Sequence, residues 1–488
     1  MAAVAVAVSA AMAACGGGSS NDAGRSADTT TTVGAEGGGA DSSLPSESST
    51  TTTIVAASGQ CGLHGSYPEA WPERPRYDVD LDIDPVGGTV TGNMRVRFTP
   101  PEVTDRLVFR LWANVPRAGE AGGHLDVGAV LVDGVETDGE YQDGGAGPST
   151  PGTIYILTRP EGFAADRAVR VELAFTLRMP GAVNERVAQV GDSLRLGSVI
   201  PMLSWVRGRG WHTAPAVSNF SEAVSSEVAD YDVTTNLPDG YTTLATGEEI
   251  APGHFVASAV RDWAATVGRL EIAQGTADNG RIRVVVGAAD GTGDDPQRRL
   301  GDAIAALDDF SARYGPYPYP VLTMGVTGSL SGGIEFPQHI FIGGGTSRDH
   351  LIHEVAHMWF YGLVGNDQYA DPWLDEGLTE YAEAQFLGET GGMRSTSIPA
   401  DARGRVGESH AFWQSHTNSF YRGVYVQGAQ AIAALSDAVG GLDVVDCALR
   451  RFVLDNAFQV AAPTDLVTAI ERQTAVDPRP TLERFGAI

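Results

Sequence analysis

From Tyr77 the chain alternates apolar and polar residues with a period of two. Tyr77, Val79, Leu81 and Ile83 share one side of an extended strand, with Asp78, Asp80 and Asp82 on the other. Asp84-Pro85-Val86-Gly87-Gly88 has turn chemistry, and Met94, Val96 and Phe98 resume the alternation as a returning strand. Val169, Val171, Leu173, Phe175, Leu177 and Met179 repeat it over a longer run. Few helical patterns interrupt before about residue 275, so residues 61–275 are expected to form an antiparallel, sandwich-like β domain with one wet face.

Past Arg281 the pattern turns mixed. Ile282, Val284 and Val286 suggest a strand. Asp295-Pro296 then opens a helix, with Asp as cap and Pro at the first helical position, and Leu300, Ile304, Leu307 and Phe310 on one face. It ends at Tyr314-Gly315, before the rigid turn Pro316-Tyr317-Pro318-Tyr319-Pro320. Val424 to Val439, Val444 to Leu454 and Thr464 to Gln473 read as the last helices. Residues 276–488 are therefore expected to form a second, α+β domain, and the chain is multidomain.

Ahead of these domains the pattern disappears. Residues 1–15 are a short Ala/Val run, too short to span a bilayer and similar to the apolar core of an export signal. Its end, Met12-Ala13-Ala14-Cys15-Gly16, resembles the lipobox of bacterial lipoproteins, which implies lipidation at Cys15. It departs from that pattern in having Met where Leu is usual and no basic residues before the run. Residues 16–60 are Gly, Ser, Thr, Ala and Asp with almost no large apolar side chain. They cannot bury enough surface to offset their ordering entropy, which predicts a disordered tether. The expected location is thus the outer face of a bacterial cell membrane, with membrane contact only through the lipid.

Composition narrows the partners. The chain has 33 basic and 61 acidic residues, a formal charge of −28, and every basic residue outside the histidines is Arg. That sign opposes nucleic acid, which wants clustered cations. None of the cysteines, Cys15, Cys61 and Cys447, stands in a CxxC pair. Cys61 and Cys447 could pair in an oxidising compartment or be two small buried hydrophobes.

The chemistry begins at His353-Glu354-Val355-Ala356-His357. Thr346 can cap a helix here, with Asp349 as its capping-box partner, and Gly362 can close it. Histidines at i and i+4 lie one turn apart on one face and can share an ion at about 2.0–2.1 Å. Glu354 sits beside them, able to contact a metal-bound water without being a ligand. Asp371-Pro372 opens another helix running to about Leu387, with Glu376 in its first turn, eighteen residues after His357. A His₂Glu set of His353, His357 and Glu376 leaves a fourth position open, as a catalytic zinc requires. Glu380 and Glu383 share roughly Glu376's face. Glu380 is expected to orient a ligating imidazole, whereas Glu383 is expected on a solvated face. His212 reads as structural, and His339 and His350 as surface residues.

The segment from His353 to Glu376, ending in Trp373-Leu374-Asp375-Glu376-Gly377, resembles the gluzincin aminopeptidases, the aminopeptidase N-like family. Tyr314-Gly315-Pro316-Tyr317-Pro318 looks like that family's FGxYPY turn, Gly332-Gly333-Ile334-Glu335-Phe336 like its GxMEN motif, and Tyr425-Val426-Gln427-Gly428-Ala429 like its YxKGA segment. The likeness runs from about Tyr77 to the C-terminus. It implies a thermolysin-like catalytic domain, one Zn²⁺ per chain and peptide substrates. It further implies that zinc polarises the scissile carbonyl, that Glu354 is the general base and that Tyr425 stabilises the oxyanion. By the same resemblance Glu335 binds the substrate's α-ammonium, and backbone groups of Gly332 and Gly333 line the substrate. The chain departs from the family in Phe336 for Asn, Ile334 for Met and Gln427 for Lys. Only about sixty residues follow Tyr425, so a short form with an open cleft is expected, without the helical domain of larger members. The reading is a zinc peptidase, an aminopeptidase first. The alternatives are an endopeptidase or other amide or ester hydrolase on the same site, and a non-catalytic surface binding lipoprotein.

Overall fold

A computed structural model describes residues 61–63, 66–218 and 224–488. The expected signal, Cys15 and the tether lie outside these residues.

The period-two segments form strands as their pattern requires. Arg76–Asp84 buries every second residue, as do Thr89–Phe98 and Val169–Arg178, apart from two half-buried positions. These three lie in an eight-stranded sheet, side by side with Ala229–Asn236 and His254–Val260 on one flank and His124–Val132 on the other. The sheet is not wholly antiparallel: Arg76–Asp84 runs parallel to Ala229–Asn236, Tyr77 opposite Tyr231 and Val79 opposite Val233. A long connection between those strands, which itself builds one four-stranded sheet and half of another, permits this pairing.

The second half is built on a five-stranded mixed sheet: β1 (Leu270–Ala277), β2 (Ile282–Ala289), β3 (Val321–Thr327), β4 (Gly333–Phe336) and β5 (His339–Gly343), in the order β1-β2-β3-β5-β4. β2, β3 and β5 are parallel, while β1 and β4 pair antiparallel at the two edges. Helix α1 (Pro296–Tyr314) packs on β1 and β2, and the Asp295 side chain accepts the backbone N–H of Gln297 as its cap. Among the described residues the longer helices that follow are α2 (Arg348–Ala356), α3 (Trp373–Leu387), α4 (Gln427–Val439), α5 (Leu442–Asn456) and α6 (Pro463–Thr474). Gly388, left-handed at φ 73°, closes α3.

His339 corrects the sequence reading. It lies in β5 and is fully buried, with Nδ1 2.6 Å from Thr323 Oγ1 and Nε2 3.0 Å from Thr266 Oγ1. Burial pushes its pKa down to about 3, so it is neutral. His212 pairs with Asp367 at 3.2 Å and His350 is exposed.

Of the two readings of Cys61 and Cys447, the structure takes the disulfide, with Cα atoms 5.3 Å apart. It fastens the segment before the first strand onto α5. Tyr67 in that segment donates to Pro316 O at 2.7 Å and stands edge-on to Phe458. Opening a crosslink that closes so long a loop typically costs about 2–5 kcal/mol. Replacing both cysteines by Ser is therefore expected to lower Tm by several degrees with metal content unchanged. Equal melting temperatures would contradict it.

Candidate active site

α2 carries His353 and Glu354, and its N-cap is Ser347 rather than Thr346. Thr346 instead donates its hydroxyl to Gly332 O at 3.1 Å, tying the helix start to the loop before β4. The helix also stops earlier than expected. Ala356 is its last residue and His357 caps it, although His357 N still bonds His353 O at 3.3 Å and keeps the two imidazoles one turn apart. The next turns are wider, with Gly362 N on His357 O at 2.8 Å and Val364 N on Trp359 O at 3.0 Å. Tyr361 sits in this turn at φ 122°. For a non-glycine residue such a conformation costs on the order of 1–3 kcal/mol and persists only where its surroundings enforce it.

Glu376 stands in the first turn of α3, where the helix dipole favours a carboxylate. Tyr425 lies in a π-helical turn, Arg422–Val426, that leads into α4. The two helices approach closely at Gly377 and Gly428, where a Cβ on Gly377 would meet Gly428 Cα at 2.9 Å. That approach brings the Tyr425 hydroxyl to Glu376 Oε1, to which it donates at 2.7 Å. The Tyr425 ring lies nearly parallel to that of His353, centroids 5.6 Å apart.

The three expected ligands converge. Glu376 Oε2 is 3.2 Å from His353 Nε2 and 3.3 Å from His357 Nε2, all three residues buried. Donors at about 2.0–2.1 Å around a tetrahedral zinc stand about 3.3 Å apart. The outer nitrogens are also taken: His353 Nδ1 faces Glu383 Oε2 at 3.1 Å, and His357 Nδ1 faces the Phe360 carbonyl at 3.0 Å and Thr379 Oγ1 at 3.2 Å. Since the Phe360 carbonyl only accepts, His357 Nδ1 carries a proton and Nε2 is the nitrogen aimed at Glu376. Every inward nitrogen thus faces a shared carboxylate oxygen, an arrangement that requires positive charge between them. The donor set fits Zn²⁺.

Electrostatics agree. Burial opposes charge on His353, but Glu376 and Glu383 outweigh it and hold its pKa well above the usual range. Burial works against an ionised Glu376 too, yet His357 and His353 hold it well below. Glu354 is buried, its Oε2 has no hydrogen-bond partner among the described residues, and burial pushes its pKa up to about 8 against the pull of His357. Gly333, on the free edge of the sheet, lies directly against it; a Cβ there would overlap the Glu354 side chain. Gly332 O is occupied by Gly343 N at 2.9 Å. Glu335, two residues along β4, is buried, and carboxylate oxygens of Glu335 and Glu354 lie within 4.8 Å of each other and of a His357 nitrogen.

Two readings of α3 change. Glu383, expected to face solvent, makes the short contact to His353. Glu380 is 3.8 Å from the same nitrogen and instead accepts from Tyr421 OH at 3.1 Å. From Glu376, positions i+4 and i+7 share a face, so spacing alone does not rank them. Sequence reasoning missed Thr379 and Gln368. Thr379 was reachable, three residues from Glu376 on the same helix. Gln368, which donates to Glu335 Oε1 at 3.3 Å and Asp375 Oδ2 at 2.9 Å, lies in a loop with no periodicity to reveal it.

Residues 346–485 match the peptidase family M1 domain model. Over 135 residues the chain is 30% identical to the membrane alanyl aminopeptidase of Heliothis virescens, 25% of this chain and 13% of that one. Over 160 residues it is 27% identical to aminopeptidase B of Mus musculus, 28% of this chain and 24% of that one. The chain spans less than a quarter of the length of these relatives. Among solved structures, an M1 zinc metallopeptidase from Deinococcus radiodurans superposes with a TM-score of 0.60 at 17% identity, covering 86% of this chain and 95% of that one. That likeness shows a shared fold, a β-rich domain followed by a mixed α+β domain.

Proposed function

We propose, from the match of residues 346–485 to the peptidase family M1 domain model, that this chain is a zinc-dependent aminopeptidase removing N-terminal residues from peptides. The observation that carries this reading is the grouping of Glu335 with Glu354 and His357. An ammonium held by Glu335 so close to the base leaves room for one residue before the carbonyl under attack. A bound zinc, held by His353, His357 and Glu376, would polarise that carbonyl and lower the pKa of water toward ~7. Glu354 accepts the proton of the attacking water and returns it to the departing amine. Tyr425 turns its hydroxyl from Glu376 to the developing oxyanion. The free edge of β4, with Gly333 offering no side chain, receives the peptide as an added strand.

Aminoacyl arylamides with free and with blocked amines test the assignment, each with and without chelator. Only the free-amine substrate should be cleaved, and only without chelator. Equal cleavage of the blocked substrate would favour an endopeptidase, and no chelator-sensitive turnover would favour a binding protein. Tyr425→Phe removes one oxyanion donor and is expected to lower kcat by ~10²–10³ with little change in KM. A fall confined to KM would assign Tyr425 to ground-state binding instead.

We also propose that the protein is exported and anchored through Cys15. The Cys61–Cys447 disulfide supports an oxidising compartment. Cys15→Ala should abolish incorporation of labelled fatty acid; retained label would refute the anchor.

A further inference from the structure

We infer that Arg261 is a positioning residue for His357, holding the turn that presents the Phe360 carbonyl to that imidazole. Arg261 stands between His254–Val260 and Ala264–Gly268 in the β-rich half, and its side chain is fully buried. Among the described residues, no carboxylate lies at ion-pair distance from its guanidinium. It donates to four backbone carbonyls: Ser226 O at 2.8 Å, Leu363 O at 3.2 Å, and Gly362 O and Gln459 O at 3.3 Å. Two of these belong to the widened turn after α2, immediately beyond strained Tyr361. Gly365 completes the seat, since a Cβ there would overlap the guanidinium. The Arg261 backbone is held as well, its carbonyl accepting from Ser226 Oγ at 2.7 Å.

The consequence reaches the metal site in two steps. His357 Nδ1 is paired with Phe360 O at 3.0 Å, and the direction of that carbonyl is set by the turn Arg261 clamps. A planar fork with five donors can bind several carbonyls at fixed angles, which an ammonium cannot. No sequence pattern marks Arg261, because it lies almost a hundred residues from the residue it serves.

The inference rests on His357 being a zinc ligand. Its test is the zinc dissociation constant of Arg261→Lys and Gly365→Ala, by competition with a chromophoric chelator, together with the visible spectrum of the Co²⁺-substituted proteins. Arg195→Lys is the control. That arginine is equally buried and also binds backbone carbonyls, but those of Glu185, Val183 and Gly328, away from the turn. Arg261→Lys and Gly365→Ala should weaken zinc by ~10–100-fold and shift the Co²⁺ bands. Arg195→Lys should lose Tm alone. Losses of Tm in all three with unchanged zinc affinity and spectra would overturn the inference. The wild type supplies an independent arm should a variant not fold: ¹⁵N spectra must show His357 protonated at Nδ1, and any other tautomer overturns it. A wild type that binds no zinc would instead refute the metal reading itself.

Discussion

Glu354→Gln is expected to lower kcat by ~10²–10⁴ while zinc content stays at one per chain. The substitution keeps the volume of a buried side chain packed against Gly333, so the fold loses little. It removes the one function the structure leaves open at this position. Glu354 Oε2 has no hydrogen-bond partner among the described residues, which is costly for a buried carboxylate unless substrate or water supplies one. Burial pushes the carboxyl up to about 8, into the range where a base both holds and releases a proton near neutral pH. Below its pKa the carboxyl is protonated and accepts nothing, so the wild-type profile of kcat/KM should fall on the acid side. Residual activity of the variant should lack that limb. Normal turnover with an unchanged profile would exclude Glu354 as the base.

The parts of the site legible in the sequence were those set by local geometry. A helical turn fixes the relation of His353, Glu354 and His357, and the first turn of the next helix, begun after Pro372, places Glu376. The alternating strands were legible for the same reason: burial of one face forces a period of two, as in Tyr77 to Ile83. What distant segments supply was not legible. The partner of His353 was misassigned between Glu380 and Glu383 because the choice depends on how α3 rolls against α2. The early end of α2 gives way to a wider turn whose Gly362 and Leu363 carbonyls accept from Arg261, a residue from another part of the chain. His339 looked like a surface residue because a single polar position in an apolar strand gives no hint of Thr266 and Thr323 on either side. The parallel pairing of the first strand with Ala229–Asn236 likewise depends on sheet assembly rather than on either segment's own pattern.

Removal of the metal by a chelator is expected to abolish turnover and to leave a protein whose stability falls at alkaline pH. In the protein's own groups, positive charge on His353 and His357 is what holds Glu376 in place. Burial works against charge on His357, but Glu335 and Glu376 outweigh it and push its pKa up to about 9. A raised histidine contributes stability that is complete below its unfolded value of ~6.5 and is lost as pH rises through the folded value. For the metal-free protein the loss therefore runs from about 6.5 to beyond about 9, with His353, raised further, extending it upward. Glu376 adds the opposite limb, present above its ordinary value and lost as pH falls through its depressed one. Zinc takes over the role of the imidazole protons, so the reconstituted protein should keep its Tm across the alkaline range where the metal-free form loses it. Melting curves of both forms between pH 6.5 and 10 decide the matter. Parallel declines would mean that the histidine pair holds no proton that zinc replaces, and that His353, His357 and Glu376 are not one linked site.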